Sequence, residues 1–351
     1  MSGTDHRPLR RPRLPARRMR HGLPGLVALT PAVVLPAIVL AHGGAVPPAP
    51  EPGSFLLDWT FEPLVAIPLA GAGALWWYAV RRVNAAHPSN PVPLRRSLFF
   101  GLGLLALAVA LMSGIDTYDT TLFTVHMVQH ILLAMVAAPL IVLAGPITLV
   151  LRVATPDARR RYLLPLLHSR PVRAITHPVV SWLLFAGVMW VSHFSPLFDA
   201  ALESELLHFL EHALFLGSAL LFWWPAIGVD PSPWRMPYPA RALYVFLQMP
   251  QNTFLAMAIL FAGRPLYPHY VTLDRAWGPS PLVDQQVAAG LMWVSGDLIF
   301  LAALAGILWR WLRDEERHQA RRDARADARM VAIREREARL AEQKATDQVG
   351  V

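Results

Sequence analysis

Apolar runs of about 18 residues or more recur along this 351-residue chain, separated by short stretches rich in arginine, proline or acid. A run of that length, wound as a helix, crosses a hydrocarbon core of roughly 30 Å. The pattern therefore predicts an all-α membrane protein. Its spans fall at about 61–80, 98–112, 124–151, 178–193, 207–225, 242–261 and 283–309. Pro139 and the Gly145-Pro146 pair are expected to bend the third of them. Ahead of these seven, residues 23–41 form an apolar segment interrupted by Pro24, Pro31 and Pro36 and ending in Val39-Leu40-Ala41. It reads either as a signal peptide or as an additional transmembrane helix.

Charge orients the bundle. Residues 1–22 hold seven arginines and one acid and are expected to be a disordered cytoplasmic arm. Arg81-Arg82 to Arg95-Arg96, Arg152 to Arg173, Arg235 to Arg241 and Arg310 to Arg313 all fall on one side once seven spans are counted. That side is the cytoplasm by the bias of arginine toward inner loops. Residues 42–59 then form an external loop, 60–312 the transmembrane domain, and 313–351 a charged cytoplasmic tail of helical character.

Composition narrows the chemistry. Hydrophobic residues make up 54% and charged residues 16%, far from a soluble globular domain. The net charge of +8 follows the loops and the termini, which speaks for membrane orientation and against nucleic acid as a partner. There is no cysteine, so disulfides, iron–sulfur clusters and thiolate sites are excluded, and a soft metal would have to use the 13 histidines and 11 methionines. Neither a phosphate-binding glycine loop nor a nucleophile elbow is present. In His208-Phe-Leu-Glu-His212 the acid stands at the wrong offset for a zinc protease. No enzymatic activity is expected.

Two histidine pairs stand out, His126 with His130 and His208 with His212, each four apart and so on one helix face. Both helices should start outside and run inward, placing all four rings in one layer ~5–15 Å deep. Imidazoles in hydrocarbon are expensive; hydrogen bonding between helices would explain one of them, whereas two pairs at matched depth favour a metal. Four imidazoles suit copper or zinc, and a methionine beside them suits Cu(I). Met257 shares that layer, His193 caps the neighbouring span on the same side, and Met249 is a weaker candidate ligand; both methionines are otherwise core residues. Glu211 is placed either to orient a ligating imidazole or to face headgroups or water, and Asn252 and Asp297 are polar groups within spans. If the leader is cut after Ala41, His42 becomes an amino-terminal chelate for Cu(II). Haem b is a competing cofactor, using one histidine from each pair. Metal-free helix packing and a copper-uptake path are further alternatives.

Three stretches resemble the CtaG family of multi-pass assembly factors for caa-type cytochrome c oxidase. They are Thr124 to Pro146 (TVHMVQHILLAMVAAPLIVLAGP), the region of HFLEH within Val191 to Pro225, and Gln248 to Pro268 (QMPQNTFLAMAILFAGRPLYP). Gln285 to Asp297 (QQVAAGLMWVSGD) fits the same family's last span. The resemblance covers roughly residues 55–312. It implies a non-catalytic protein of the bacterial plasma membrane that helps to mature the oxidase, through copper delivered to an oxidase subunit. By the same resemblance His126, His130, His208 and His212 match the family's paired histidines. An external copper carrier would be a second partner. The arginine-rich arm and the charged tail lie outside the resemblance.

Overall fold

The computed structural model describes residues 46–51 and 53–349, with side chains through residue 339. His42 and the segment 23–41 lie outside the described residues. Eight principal helices follow one another: α1 Pro63–Ala86, α2 Leu94–Met112, α3 Phe123–Val153, α4 Pro178–His193, α5 Leu197–Glu203, α6 Glu205–Ile227, α7 Tyr238–Leu260 and α8 Pro281–Val349. Among the described residues the one β-type contact is an isolated bridge between Trp59 and Ser113. Proline opens α1, α4 and α8, where its missing N–H would have had no partner in any case. Gly228, with φ 61°, ends α6 in the left-handed conformation that glycine tolerates.

Six of these helices are long and apolar enough to cross a bilayer. A seventh span is reached only if α4 and α5, bent by 70° where they join, count as one. α4 has 16 residues, about 24 Å of helix, which is short for a crossing by itself. α8 runs unbroken from the last apolar segment into the charged tail as far as Val349. The outer faces carry large exposed apolar side chains, such as Ile67, Leu75, Trp77 and Phe254, as a hydrocarbon solvent requires.

α3 is the central element. Its first turns are α-helical, residues Leu132–Ala137 form a π-helical stretch, and the α-helix resumes at Ala138 with Pro139 in its first turn. Gly145, at φ 73°, breaks the helix before Pro146, where the sequence places a bend. Aspartates from elsewhere cap both halves. Asp284 accepts from the Phe123 and Thr124 backbone N–H groups at 2.7 and 3.2 Å, and Asp230 accepts from those of Ile147 and Thr148 at 3.0 and 2.7 Å. Each carboxylate thus satisfies donors that a helix start leaves open and offsets the positive end of its dipole.

α6 and the second half of α3 close on one another through alanine. Ala134, Ala138, Ala219 and Ala226 are fully buried beside Phe185, Phe222, Trp223, Val245 and Phe300. Small residues let helix backbones approach closely where no hydrophobic effect drives association. At the other end of α3, Phe123 and Met127 pack with Phe198, Leu255, Ile259, Tyr267, Ala288 and Met292. Both clusters border the layer that contains the histidines.

Candidate functional site

α3 and α6 run parallel and in step. The rings of His126 and His208 lie 5.5 Å apart, those of His130 and His212 5.9 Å apart, and within each helix the paired rings are 4.2 Å apart. Four imidazoles therefore form a quadrilateral between two helices. His126 is 0% and His130 4% exposed. Both ring nitrogens of each are buried without a hydrogen-bond partner. Buried polar groups in native proteins are nearly always paired with protein or ordered water, so four such nitrogens in one place mark a position suited to an ion or to water.

Two carboxylates complete the layer. The Oε2 atom of Glu211 is 3.8 Å from His126 Nε2, and Oδ2 of Asp119 is 3.5 Å from His208 Nε2. The donors sort into two groups, His126–His130–Glu211 and Asp119–His208–His212, within each of which the ligand atoms lie within 4.8 Å of one another. A separation of 3.8 Å is too long for a hydrogen bond. It is close to the edge of about 3.4 Å that a tetrahedral ion with bonds near 2.1 Å imposes on its ligands. Two imidazoles and one carboxylate is a donor set for Zn(II) or Cu(II), with a position left for water or a further ligand. Glu211 is on α6, yet it faces the histidines of α3.

The protonation of His212 can be deduced. Gln129 Nε2 donates to the Ala110 carbonyl at 3.0 Å and to Asp116 Oδ1 at 3.2 Å, which fixes the amide with its oxygen toward α6. That oxygen lies 2.9 Å from His212 Nε2, so Nε2 carries the proton and Nδ1 holds the lone pair. A side chain that orients an imidazole in this way tunes it as a ligand. Asp119 is positioned from its own backbone: the Tyr270 hydroxyl donates to its carbonyl at 2.9 Å, and His269 Nε2 bonds the adjacent Thr120 carbonyl at 2.9 Å. Burial, reinforced by the charge of Asp119, pushes the Tyr270 hydroxyl up and keeps it a donor. Residues 47 and 48 cover this end of the bundle, where the Pro47 and Pro48 carbonyls accept from Trp277 and Tyr118 at 3.1 Å.

The other residues singled out from the sequence divide. His193, 3% exposed, lies beside the quartet and shares a cavity with His130. Met257 is half-buried on α7 and Met249 packs in the alanine-rich core; the methionines that line the cavity at His130 are instead Met127, Met135, Met189 and Met292. Asp297 accepts from Asn252, Thr253 and Trp293 at 3.2, 2.9 and 3.0 Å, which makes this intramembrane acid and Asn252 a satisfied tie between α7 and α8. Asp119 and Gln129 were missed as parts of the site. For Asp119 the available signal was an acid just ahead of the helix that carries the first histidine pair. For Gln129 it was a second polar residue inside that pair.

Comparison with known proteins places these observations. An uncharacterized protein of Mycobacterium bovis and one of Mycobacterium tuberculosis are each 31% identical to this chain over 293 residues, and one of Mycobacterium leprae is 30% identical. These alignments take in 82% of the chain and 44% of each relative, so the chain spans less than half the length of the curated relatives it matches. No solved structure matches. The family model described as cytochrome c oxidase caa3 assembly factor (Caa3_CtaG) matches residues 74–314, a stretch that contains both histidine pairs, Asp119, Gln129, Glu211 and the α7–α8 tie. By that match this multi-pass, all-helical chain belongs to the caa3 oxidase assembly factor family.

Proposed function

We propose that this protein is a non-catalytic assembly factor that holds copper at the His126–His130–Glu211 and Asp119–His208–His212 groups and passes it to a cytochrome c oxidase subunit docked in the same membrane. The observation that carries the reading is the pair of buried histidines, His126 and His130, with all four nitrogens unpartnered beside a carboxylate 3.8 Å away. The family supplies the biology, since it is a family of cytochrome c oxidase assembly factors. The donor set suits copper or zinc, and an oxidase assembly role favours copper. Haem b fits less well: His126 and His130 pack against Phe198 and Phe215 with ring centres 4.9 and 3.9 Å apart, so a porphyrin would have to displace both.

The test is metal content and absorbance of detergent-purified protein beside His126→Ala/His208→Ala, both loaded with Cu(II), the ion that the nitrogen and carboxylate donors favour. Stoichiometric copper in the parent, lost in the double variant and with no Soret band, is the expected result. It would be followed by a maturation assay on the oxidase with the same variant. A well-folded parent that takes up neither copper nor zinc would reduce the histidines to helix packing and end this reading.

A further inference from the structure

A second, softer ligand set lies immediately beside the quartet. A cavity of about 30 Å³, room for one or two water-sized occupants, is lined by His130, His193 and the four methionines Met127, Met135, Met189 and Met292. The tautomer of His193 follows from its neighbours. Its Nδ1 lies 2.7 Å from the Met189 carbonyl, which can only accept, so Nδ1 carries the proton. Nε2 is then a bare lone pair, buried and without a partner. Fixing one imidazole nitrogen on a backbone carbonyl is the usual way a protein presents the other to a metal. Gln248 Oε1 and Gln251 Nε2, from two more residues of the lining, are also buried without partners.

The composition of this lining differs from that of the quartet in one respect: it offers sulfur and no carboxylate. Thioethers are polarizable, weakly hydrated donors that select Cu(I) over harder divalent ions. A neutral nitrogen and thioether set also suits a monovalent ion enclosed in low dielectric, because less charge has to be desolvated. We infer that the cavity between His193 and His130 is a second metal station, specific for a soft monovalent cation, Cu(I), with His193 Nε2 and methionine sulfur as ligands. His130 faces both stations, so an ion in the quartet and one in the cavity would share a wall. The identity of the ion rests on the copper reading above; the site itself rests on the cavity, the fixed His193 tautomer and the sulfurs.

Silver(I), a redox-silent soft monovalent ion, is the probe. Purified parent protein, His193→Ala, Met189→Leu and His126→Ala/His208→Ala are titrated with Ag(I), and in parallel with Cu(II). X-ray absorption at the silver edge reads the ligand atoms. The expected result is tight Ag(I) uptake with sulfur scattering in the parent, weakened at least tenfold by His193→Ala and detectably by Met189→Leu. Cu(II) uptake in those two variants should stay within about twofold of the parent. The quartet variant should do the reverse and lose Cu(II) while keeping Ag(I). Ag(I) uptake unchanged in both cavity variants, or a silver spectrum with nitrogen and oxygen only, overturns the proposal and leaves the cavity to water. Loss of Ag(I) in the quartet variant alone overturns it too, by assigning the soft ion to the quartet. A parent that binds Ag(I) through sulfur but takes no Cu(II) would refute the quartet reading and leave this one standing. Met189→Leu conserves volume, so a folding failure of His193→Ala does not remove the test.

Discussion

Replacing Asp284 by alanine removes a carboxylate that α8 lends to the first turn of α3. Two backbone donors, Phe123 N–H at 2.7 Å and Thr124 N–H at 3.2 Å, then lose their acceptor, and Asp284 is only 1% exposed, so water does not readily replace it. A buried donor left without a partner costs about 1–3 kcal/mol, and loss of an N-cap about 0.5–2 kcal/mol. These figures overlap, so Asp284→Ala should destabilise by roughly 2–4 kcal/mol and Asp284→Asn, which keeps one acceptor oxygen, by about half of that. At roughly 2–4 °C per kcal/mol, the alanine variant should lose about 4–16 °C of apparent melting temperature in detergent. Asp230→Ala is the matched control, since Asp230 caps the second half of α3 through two backbone N–H groups in the same way. Both alanine variants should lose stability by similar amounts. Only Asp284→Ala should also weaken metal binding, because the His126 N–H belongs to the turn it caps, bonded to the Leu122 carbonyl at 3.1 Å. Differential scanning fluorimetry and metal titration on the parent and the three variants decide the matter. A melting shift under about 2 °C, or equal metal loss in both alanine variants, would refute the capping argument.

Glu211→Gln removes the charge but little of the volume, and should weaken copper binding by about ten- to a hundredfold, as measured by competition with a chelator of known affinity. Equal affinity would show that Glu211 answers the histidines without touching the ion. Gly114→Ala would put a Cβ 2.3 Å from the Ser54 carbonyl oxygen, a backbone atom that cannot rotate away. It should push the segment before α1 off the bundle and speed limited proteolysis within residues 46–60 severalfold, with the helical content kept. Asp297→Ala should lower the melting temperature because Thr253 and Trp293 lose their acceptor, while copper stoichiometry stays that of the parent. Loss of copper in that variant would mean that the tie between α7 and α8 belongs to the metal chemistry.

The apolar runs and their punctuation were legible in the chain to within a few residues. The fourth run begins and ends as α4 does, at residues 178 and 193, and the expected bend at Gly145 is a left-handed break. Both histidine pairs were legible too, because an i,i+4 spacing puts two rings on one face whatever else the helix touches. These are local properties: a helix forms or stops according to its own backbone hydrogen bonds, and hydropathy over one span suffices to place it in a membrane.

What tertiary structure decided is everything that depends on one helix meeting another. The pairing of His126 with His208 requires α3 and α6 to be parallel and in register, and one residue of slip would turn a ring by about 100°. The carboxylate of Glu211 lies 3.8 Å from His126 across the α3–α6 interface, while Asp119 enters from a turn held by Tyr270 and His269. Depth along a helix says nothing of azimuth, and the sulfurs that line the cavity at His130 come from Met127, Met135, Met189 and Met292. The proton on His193 is likewise set by a carbonyl one turn back, and its free nitrogen gains meaning only from a cavity made by α3, α4, α6, α7 and α8 together. Sequence alone determined which residues can reach the middle of the membrane. Packing determined which of them face one another, because side-chain direction across an interface is fixed by the relative rotation of two helices and not by the order of residues along either.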